Sequence, residues 1–302
     1  MMSTKIILNP IAGRGHGARI EPALREHLEA EGLDFDLVHT AGRGHATELA
    51  EQAVGDGFEI IVAAGGDGTT HEVVNGLMVA SDGGEAGTLG IIPIGSGSDF
   101  AHTVGVPAQL PAACRRLAHG QERIVDVGRV TLSGQAPRYF DNTVGIGFDG
   151  VVTVEARKVK RLRGMALYLP VVLKTVFLAL KIPQVTIEYD GETLDLPALM
   201  VCIANGPREG GGFLVAPQAQ PDDGLFDLSI TREVSRLAML GLIPHFMKGT
   251  HVGREPVTMA RAKRVTISSP DDLVAHVDGE VLCTEGHHIE CEILPQRLRV
   301  RS

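Results

Sequence analysis

Three acidic residues set in glycine-rich turns carry the chemistry of this chain. Asp67 lies in Gly65-Gly66-Asp67-Gly68-Thr69-Thr70-His71, and Asp278 and Glu280 lie in Val277-Asp278-Gly279-Glu280. The first run follows the apolar stretch Ile60-Ile61-Val62-Ala63-Ala64 and opens into a helix-like pattern. Such a turn suits phosphate. Without Cβ atoms the backbone can approach oxyanions, and the N–H groups of the helix's first turn point at them. A carboxylate in the same turn repels phosphate unless it binds a cation or takes a proton. Asp67 therefore points to phosphoryl transfer rather than passive binding. Asp222-Asp223-Gly224 and Asp278-Gly279, read singly, are ordinary turn signals, Asp-Gly being a common hairpin pair. Asn9 to Gly17 lacks the Lys-Ser/Thr ending of a Walker A loop and the dinucleotide spacing, so a phosphate loop and a plain strand-to-helix loop both remain open.

The elements that position these residues alternate over the first 125 residues. Lys5–Leu8, Phe35–His39, Phe58–Ala64 and Thr88–Ile94 read as strands. Ala18–Ala30 carries Ile20, Leu24 and Leu28 on one helical face, with Gly32 placed to end it, and Ala46–Val54 is a second helix. Thr69 and Glu72 have capping-box spacing and are expected to fix the helix start after Gly65. Continuous apolar strands separated by helices imply a parallel sheet covered on both faces, with ligands outside the strands' carboxyl ends. Asn9–Gly17, Thr40–His45, Gly65–His71 and Gly95–Asp99 all follow strands and can converge on one rim. The fold class expected is an α/β N-terminal domain with a parallel sheet, residues 1–125, and a mainly antiparallel β C-terminal domain, residues 126–302. The second carries short β-rich runs (Arg123–Asp126, Tyr139–Ile146, Gln184–Tyr189, Ala198–Ala204, Leu225–Ile230, Arg264–Ser268, Leu273–Val277, Ile289–Leu294) and two helices near Met165–Leu180 and Leu237–Lys248.

Composition narrows the class. The 302 residues are 44% hydrophobic and 22% charged, as in a globular protein, and the net charge of −9 argues against general nucleic-acid binding. Met1–Leu8 is too short for a signal peptide, and no run of apolar residues reaches membrane-spanning length. Cys114, Cys202, Cys283 and Cys291 are scattered, which reads as reduced thiols. A cytoplasmic location is expected. Arg157–Arg163 holds five cations and runs into the apolar segment Met165–Leu180. This is either a charged turn before a core helix or a surface for anionic membranes.

Gly65 to Leu77 resembles the signature of the diacylglycerol kinase catalytic domain, shared by bacterial lipid kinases and by sphingosine and ceramide kinases. Asn9-Pro10-Ile11-Ala12-Gly13, Ile92–Ala101, Asp222-Asp223-Gly224 and Asp278-Gly279-Glu280 follow in the family's order. The resemblance implies an ATP- and Mg2+-dependent lipid kinase, with diacylglycerol the simplest acceptor. It implies nucleotide contacts at Asn9, Pro10, Ile11, Ala12, Gly13, Thr40, Gly65, Gly66, Asp67, Gly68, Thr69, Thr70, His71 and Ser96. It places magnesium on Asp223 and the carbonyls of Gln220 and Leu225, with Asp126 nearby as a supporting acid. Asp67, Asp278 and Glu280 are the implied catalytic set, with Glu280 the base and Asp278 its partner, facing Asp67 around one nucleotide. Ser98 departs from the family's Asn. The implied partners are a lipid acceptor and, peripherally, a membrane surface; a homodimer is left open. The rivals are an NAD kinase-like enzyme, which shares the Gly-Gly-Asp-Gly loop, and a nucleotide-binding regulator without catalysis.

Overall fold

A computed structural model describes residues 3–81, 84, 87–95, 97–158, 165–178 and 181–302. The chain forms two units, residues 1–127 with 295–302 and residues 128–294. The first alternates β1 (Thr4–Leu8), α1 (Ala12–Ala30), β2 (Phe35–His39), α2 (His45–Gly55), β3 (Ile60–Gly65), α3 (Asp67–Ala80), β4 (Thr88–Pro93), α4 (Asp99–Thr103) and α5 (Leu110–His119). Its strands pair in parallel in the order β2-β1-β3-β4. All six residues of β3 are buried, as a strand covered on both faces requires.

The remaining elements are β5 (Glu122–Leu132), β6 (Arg138–Phe140), β7 (Thr143–Gly147), α6 (Phe148–Arg157), α7 (Met165–Leu178), β8 (Gln184–Tyr189), β9 (Glu192–Ala204), β10 (Phe226–Arg232), α8 (Arg236–Lys248), β11 (Val257–Ala262), β12 (Arg264–Val277) and β13 (Glu280–Arg301). Strands β7, β9, β10 and β11 pair antiparallel in that order, and β12 pairs antiparallel with β7, β8 and β13. Phe140 stacks on Phe226, with centroids 5.4 Å apart, inside a core of β-branched and aliphatic side chains.

Several sequence expectations need correction. The last eight residues belong to the first unit, because Arg299 and Val300 pair in parallel with Thr88 and Leu89. Arg264–Ser268 and Leu273–Val277 are one strand, β12, with register shifts between them. Tyr139–Ile146 is two strands, because the backbone N–H groups of Asp141, Asn142 and Thr143 turn to the Asp278 carboxylate. Helix α1 starts earlier than Ala18, although Gly13, Arg14 and Gly15 inside it are left-handed, so regular helix begins at His16. Helix α6 was not anticipated; its Phe-Asp-Gly-Val-Val start reads as strand or turn. Gly150 lets it press on β12, where a Cβ would meet the Val274 carbonyl oxygen at 2.3 Å. The basic run ends α6 at Arg157 and Lys158, while residues 159–164 and 179–180 lie outside the described residues. The four cysteines are free. Among the described residues no helix is long and apolar enough to cross a membrane.

Helices α2 and α3 meet at Gly76, where a Cβ would lie 2.4 Å from the Thr47 carbonyl oxygen and 2.7 Å from the Ala50 Cβ. Gly76→Ala must push the helices apart and is expected to cost about 1–3 kcal/mol, read as a lower urea midpoint. An unchanged midpoint would show that this approach is not tight.

Candidate functional site

In the first unit, loops from three strands close on one another. The Asn9 amide nitrogen donates to Thr69 Oγ1 at 3.0 Å, and Asn9 Oδ1 accepts the Ile11 N–H at 3.2 Å. Gly66 and Gly95 touch backbone to backbone, since a Cβ on Gly95 would sit 2.6 Å from the Gly66 Cα. A Cβ on Gly13 would meet the Ile94 carbonyl oxygen at 2.8 Å. Asp67 then locks two loops together. Its Oδ2 accepts the Ser98 N–H and its Oδ1 the Asp99 N–H, each at 2.7 Å. The carboxylate thus sits at the start of α4, where N–H groups lack helical partners. Ser98, at φ 55°, turns the chain into that position.

The expected capping box does not form. Gly66 is the N-cap of α3, without a side-chain cap. Glu72 instead accepts the N–H groups of Gly44 at 2.8 Å and Ala46 at 3.1 Å, capping α2. Thr40 donates its N–H to the Leu8 carbonyl at 2.9 Å, so it follows β2 beside the end of β1. Thr70 and His71 are buried in the first turns of α3. Ser96 lies outside the described residues. Asp126 is buried, falls in the first unit and accepts the Gln296 N–H at 2.8 Å, so it anchors the returning C-terminal strand.

In the second unit Asp278 and Gly279 form the two-residue turn between β12 and β13, both with positive φ. The Asp278 carboxylate accepts the N–H groups of Thr143 (2.8 Å), Asn142 (3.1 Å) and Asp141 (3.2 Å). It holds the β6–β7 corner, which gives Asp278 a positioning role. Glu280 Oε2 accepts from Arg157 Nη2 at 2.6 Å, at the end of α6.

Asp222-Asp223-Gly224 is a turn before β10, with Asp223 Oδ1 accepting the Leu225 N–H at 3.1 Å. The Arg261 guanidinium pairs with Asp223 and approaches Asp227 Oδ2 at 3.4 Å. Burial pushes the Asp227 carboxyl up, and Asp223 adds to this while Arg261 opposes it. Asp227 Oδ2 has no hydrogen-bond partner among the described residues. Two carboxylates thus face one guanidinium, and Asp223 with the Gln220 and Leu225 carbonyls offers oxygen donors alone. Oxygen donors alone suit a hard divalent cation such as Mg2+, but both Asp223 oxygens are engaged, Oδ1 by the Leu225 N–H and Oδ2 by Arg261, so an ion there must first displace the guanidinium.

A second cluster escaped the sequence reading. His276, two residues before Asp278, holds Asp149 Oδ2 at 2.7 Å through Nε2, and Glu209 Oε2 lies 3.9 Å from the same nitrogen. The Gly279 N–H donates to His276 Nδ1 at 3.2 Å, a bond made by the neutral ring and given up when the ring is protonated. A Cβ at Gly145 would strike both Asp149 and His276, at 2.0 and 2.3 Å. Burial would raise Asp149, but the charge and hydrogen bond of His276 outweigh it and hold the carboxyl below its ordinary range. Burial would likewise lower His276, and Asp149 raises it instead. The glycines of Val144-Gly145-Ile146-Gly147-Phe148-Asp149-Gly150 were the available signal. Asp149 and Glu209 also line an apolar cavity of ≈ 80 Å³ with Phe148, Met200, Met239 and Phe246.

Residues 3–130 match the diacylglycerol kinase catalytic domain, and residues 142–302 match the YegS C-terminal NAD kinase beta sandwich-like domain. A Bacillus subtilis diacylglycerol kinase is 30% identical over 93% of this chain and 90% of its own. A Staphylococcus aureus diacylglycerol kinase is 33% identical over 91% of this chain and 85% of its own. The chain belongs to the diacylglycerol kinase family. A solved structure of a candidate diacylglycerol kinase from Bacillus anthracis superposes with a TM-score of 0.81 at 26% identity, covering 99% of this chain and 96% of that one. The family is one of lipid kinases, and kinase chemistry implies ATP use.

Two measurements test the site. The lowered Asp149 gives stability present above its ordinary pKa of 3.8 and lost as pH falls through its folded value. The raised His276 gives stability present below 6.5 and lost as pH rises through its folded value. The urea-stability gap between wild type and His276→Gln is therefore expected to be widest from about pH 4 to 6.5 and to shrink above it. A gap constant to about pH 9 would remove the ion pair. Separately, Mg2+ at a hundredfold excess over its Kd is expected to stabilise the wild type by about 2.7 kcal/mol, read in the melting temperature. Asp223→Asn should abolish that response; an equal response in the variant would place the ion elsewhere.

Proposed function

We propose that this protein is an ATP- and magnesium-dependent kinase that transfers the γ-phosphoryl group of ATP to a lipid hydroxyl, with diacylglycerol the acceptor. The observation that carries this reading is the rim built by Asn9, Gly13, Gly66, Asp67 and Gly95 at the start of α3. Close glycine backbones and a helix N-terminus suit a polyphosphate, and Asp67 fixes two of the loops against each other. The relatives from Bacillus subtilis, Mycobacterium tuberculosis and Staphylococcus aureus are named diacylglycerol kinases, which supports the acceptor class.

Residues Asn9 to Gly13, Thr40, Gly65 to His71 and Ser96 bind the nucleotide in this reading. Magnesium would be held by Asp223 and the Gln220 and Leu225 carbonyls once Arg261 has withdrawn, and would supply positive charge there. Glu280 accepts the proton of the attacking hydroxyl, whose own pKa is far above neutrality. Before it can do so its carboxylate must exchange the Arg157 guanidinium for the acceptor. Asp278 keeps the turn that presents Glu280 in shape. Arg157, Lys158 and the exposed Leu173 and Leu237 suit peripheral contact with an anionic membrane.

The test is label transfer from Mg-ATP to diacylglycerol in mixed micelles, with sphingosine, phosphatidylglycerol and NAD as competing acceptors. Label entering diacylglycerol is the expected result. Transfer to NAD alone would overturn the lipid reading, and bound ATP with no transfer would favour a regulator. Glu280→Gln is expected to lower kcat by about 10²–10⁴-fold with ATP affinity kept. An unchanged kcat would take Glu280 out of the role of base.

A further inference from the structure

We propose that His276 is a positioning residue for phosphoryl transfer: Asp149 sets its ring in the tautomer that holds the Gly279 N–H, and this fixes the turn presenting Glu280. This rests on the kinase reading with Glu280 as the base. Nδ1 accepts an N–H only when it carries no proton. The one proton of the neutral ring is then on Nε2, which donates it to Asp149 Oδ2 at 2.7 Å. Which imidazole nitrogen is protonated follows from the partner of the other. An ionised carboxylate only accepts, so Asp149 selects the tautomer that leaves Nδ1 bare for Gly279 at 3.2 Å. His276 is 3% exposed, so bulk water does not take over either role. The pair fills space that a side chain at position 145 would claim. A Cβ on Gly145 would lie 2.0 Å from Asp149 Oδ2 and 2.3 Å from His276 Nε2.

The turn is tied at both of its residues. The Asp278 N–H goes to the Thr143 carbonyl at 2.8 Å, and its carboxylate accepts from the β6–β7 corner. Gly279 has no side chain, and its N–H goes to His276. Glu280 is the next residue, so a rotation of the Gly279 peptide redirects it. Helix α6 acts twice, with Asp149 in its first turn on the ring and Arg157 at its last residue on Glu280 Oε2 at 2.6 Å. Protonation of the ring cuts the tie, because a hydrogen on Nδ1 then faces the Gly279 N–H. The groups around the ring are Asp149 and Arg157 from α6, Glu209 at 3.9 Å from the loop after β9, and Asp278 from the turn. Beyond Glu209 lies the Cys202 thiol of β9, kept protonated by burial and by the carboxylates. Burial disfavours the charged ring, Asp149 and Asp278 favour it, Arg157 opposes it, and the balance lies above 6.5. The ion pair with Asp149 thus stabilises the fold at lower pH, whereas the Gly279 tie is made at higher pH. Stability and turnover run in opposite directions through the titration of one ring, which a histidine serving only the fold would not produce.

The test is label transfer from Mg-ATP to dioctanoylglycerol in mixed micelles by the full-length protein, from about pH 5.5 to 9. Wild-type kcat is expected to fall as pH drops through a midpoint above 6.5. His276→Gln keeps an amide within reach of Asp149 and has no acceptor in the place of Nδ1. It is expected to lower kcat about 100-fold at about pH 8, with KM for ATP unchanged. His276→Asn puts an amide oxygen in the place of Nδ1. It is expected to return kcat to within about tenfold of wild type and to lose the acid-side fall. Wild-type kcat in His276→Gln, or the same acid-side fall in His276→Asn, would overturn the proposal. In a Glu280→Gln background, His276→Gln is expected to add less than about a threefold loss; the full loss there would show that it does not act through Glu280. Where the His276 variants fail to fold, judged by their melting curves, the wild-type ring decides. With 15N-labelled histidine, its signal is identified by contacts with Gly145 and Gly279. A proton on Nε2 above the midpoint is expected, and a proton on Nδ1 would overturn the proposal. No transfer by the wild type sinks the kinase reading and the positioning role together, whereas transfer that persists in His276→Gln sinks the positioning role alone.

Discussion

Backbone N–H groups at chain reversals and helix starts must find acceptors, and in both units carboxylates supply them. Asp67 takes two such groups from the loop leading into α4. Glu72 takes two at the start of α2. Asp278 takes three from the β6–β7 corner. Each bond is charge-assisted and stronger than its neutral counterpart. Glycine turns that would otherwise wander are held in one shape by these three side chains. The residues that a motif reading marks as reactive are therefore also braces, and their loss would disturb geometry together with any chemistry.

Much of the first unit was legible because its signals are local. Buried strands show as apolar runs, and glycine clusters mark where those strands end. The convergence of the Asn9, Gly65 and Gly95 loops followed from parallel topology alone. The partner of Glu72 was not legible. Spacing suggested Thr69, three residues away, but the orphan N–H groups of Gly44 and Ala46 belong to a different helix packed alongside. Sequence distance cannot rank a local cap against a tertiary one.

The second unit hid more. Helix α6 begins with residues of strand and turn character and packs closely on β12 at Gly150. Asp149, Glu209 and His276 come from α6, a loop and β12, so nothing in their spacing links them. The glycines at 145 and 150 hinted that something bulky approaches there, without saying what. Asp223 matched the family's metal position, yet its guanidinium neighbour Arg261 comes from β11, thirty-eight residues on, and could not be foreseen.

Strand β13 leaves the second unit and ends beside β4, where Arg299 and Val300 extend the sheet of the first. The first unit is therefore discontinuous along the sequence. During synthesis its sheet waits for its outermost strand until the intervening 167 residues, 128–294, have emerged. A fragment cut at residue 127 would leave β4 as a bare edge, open to pairing with another molecule.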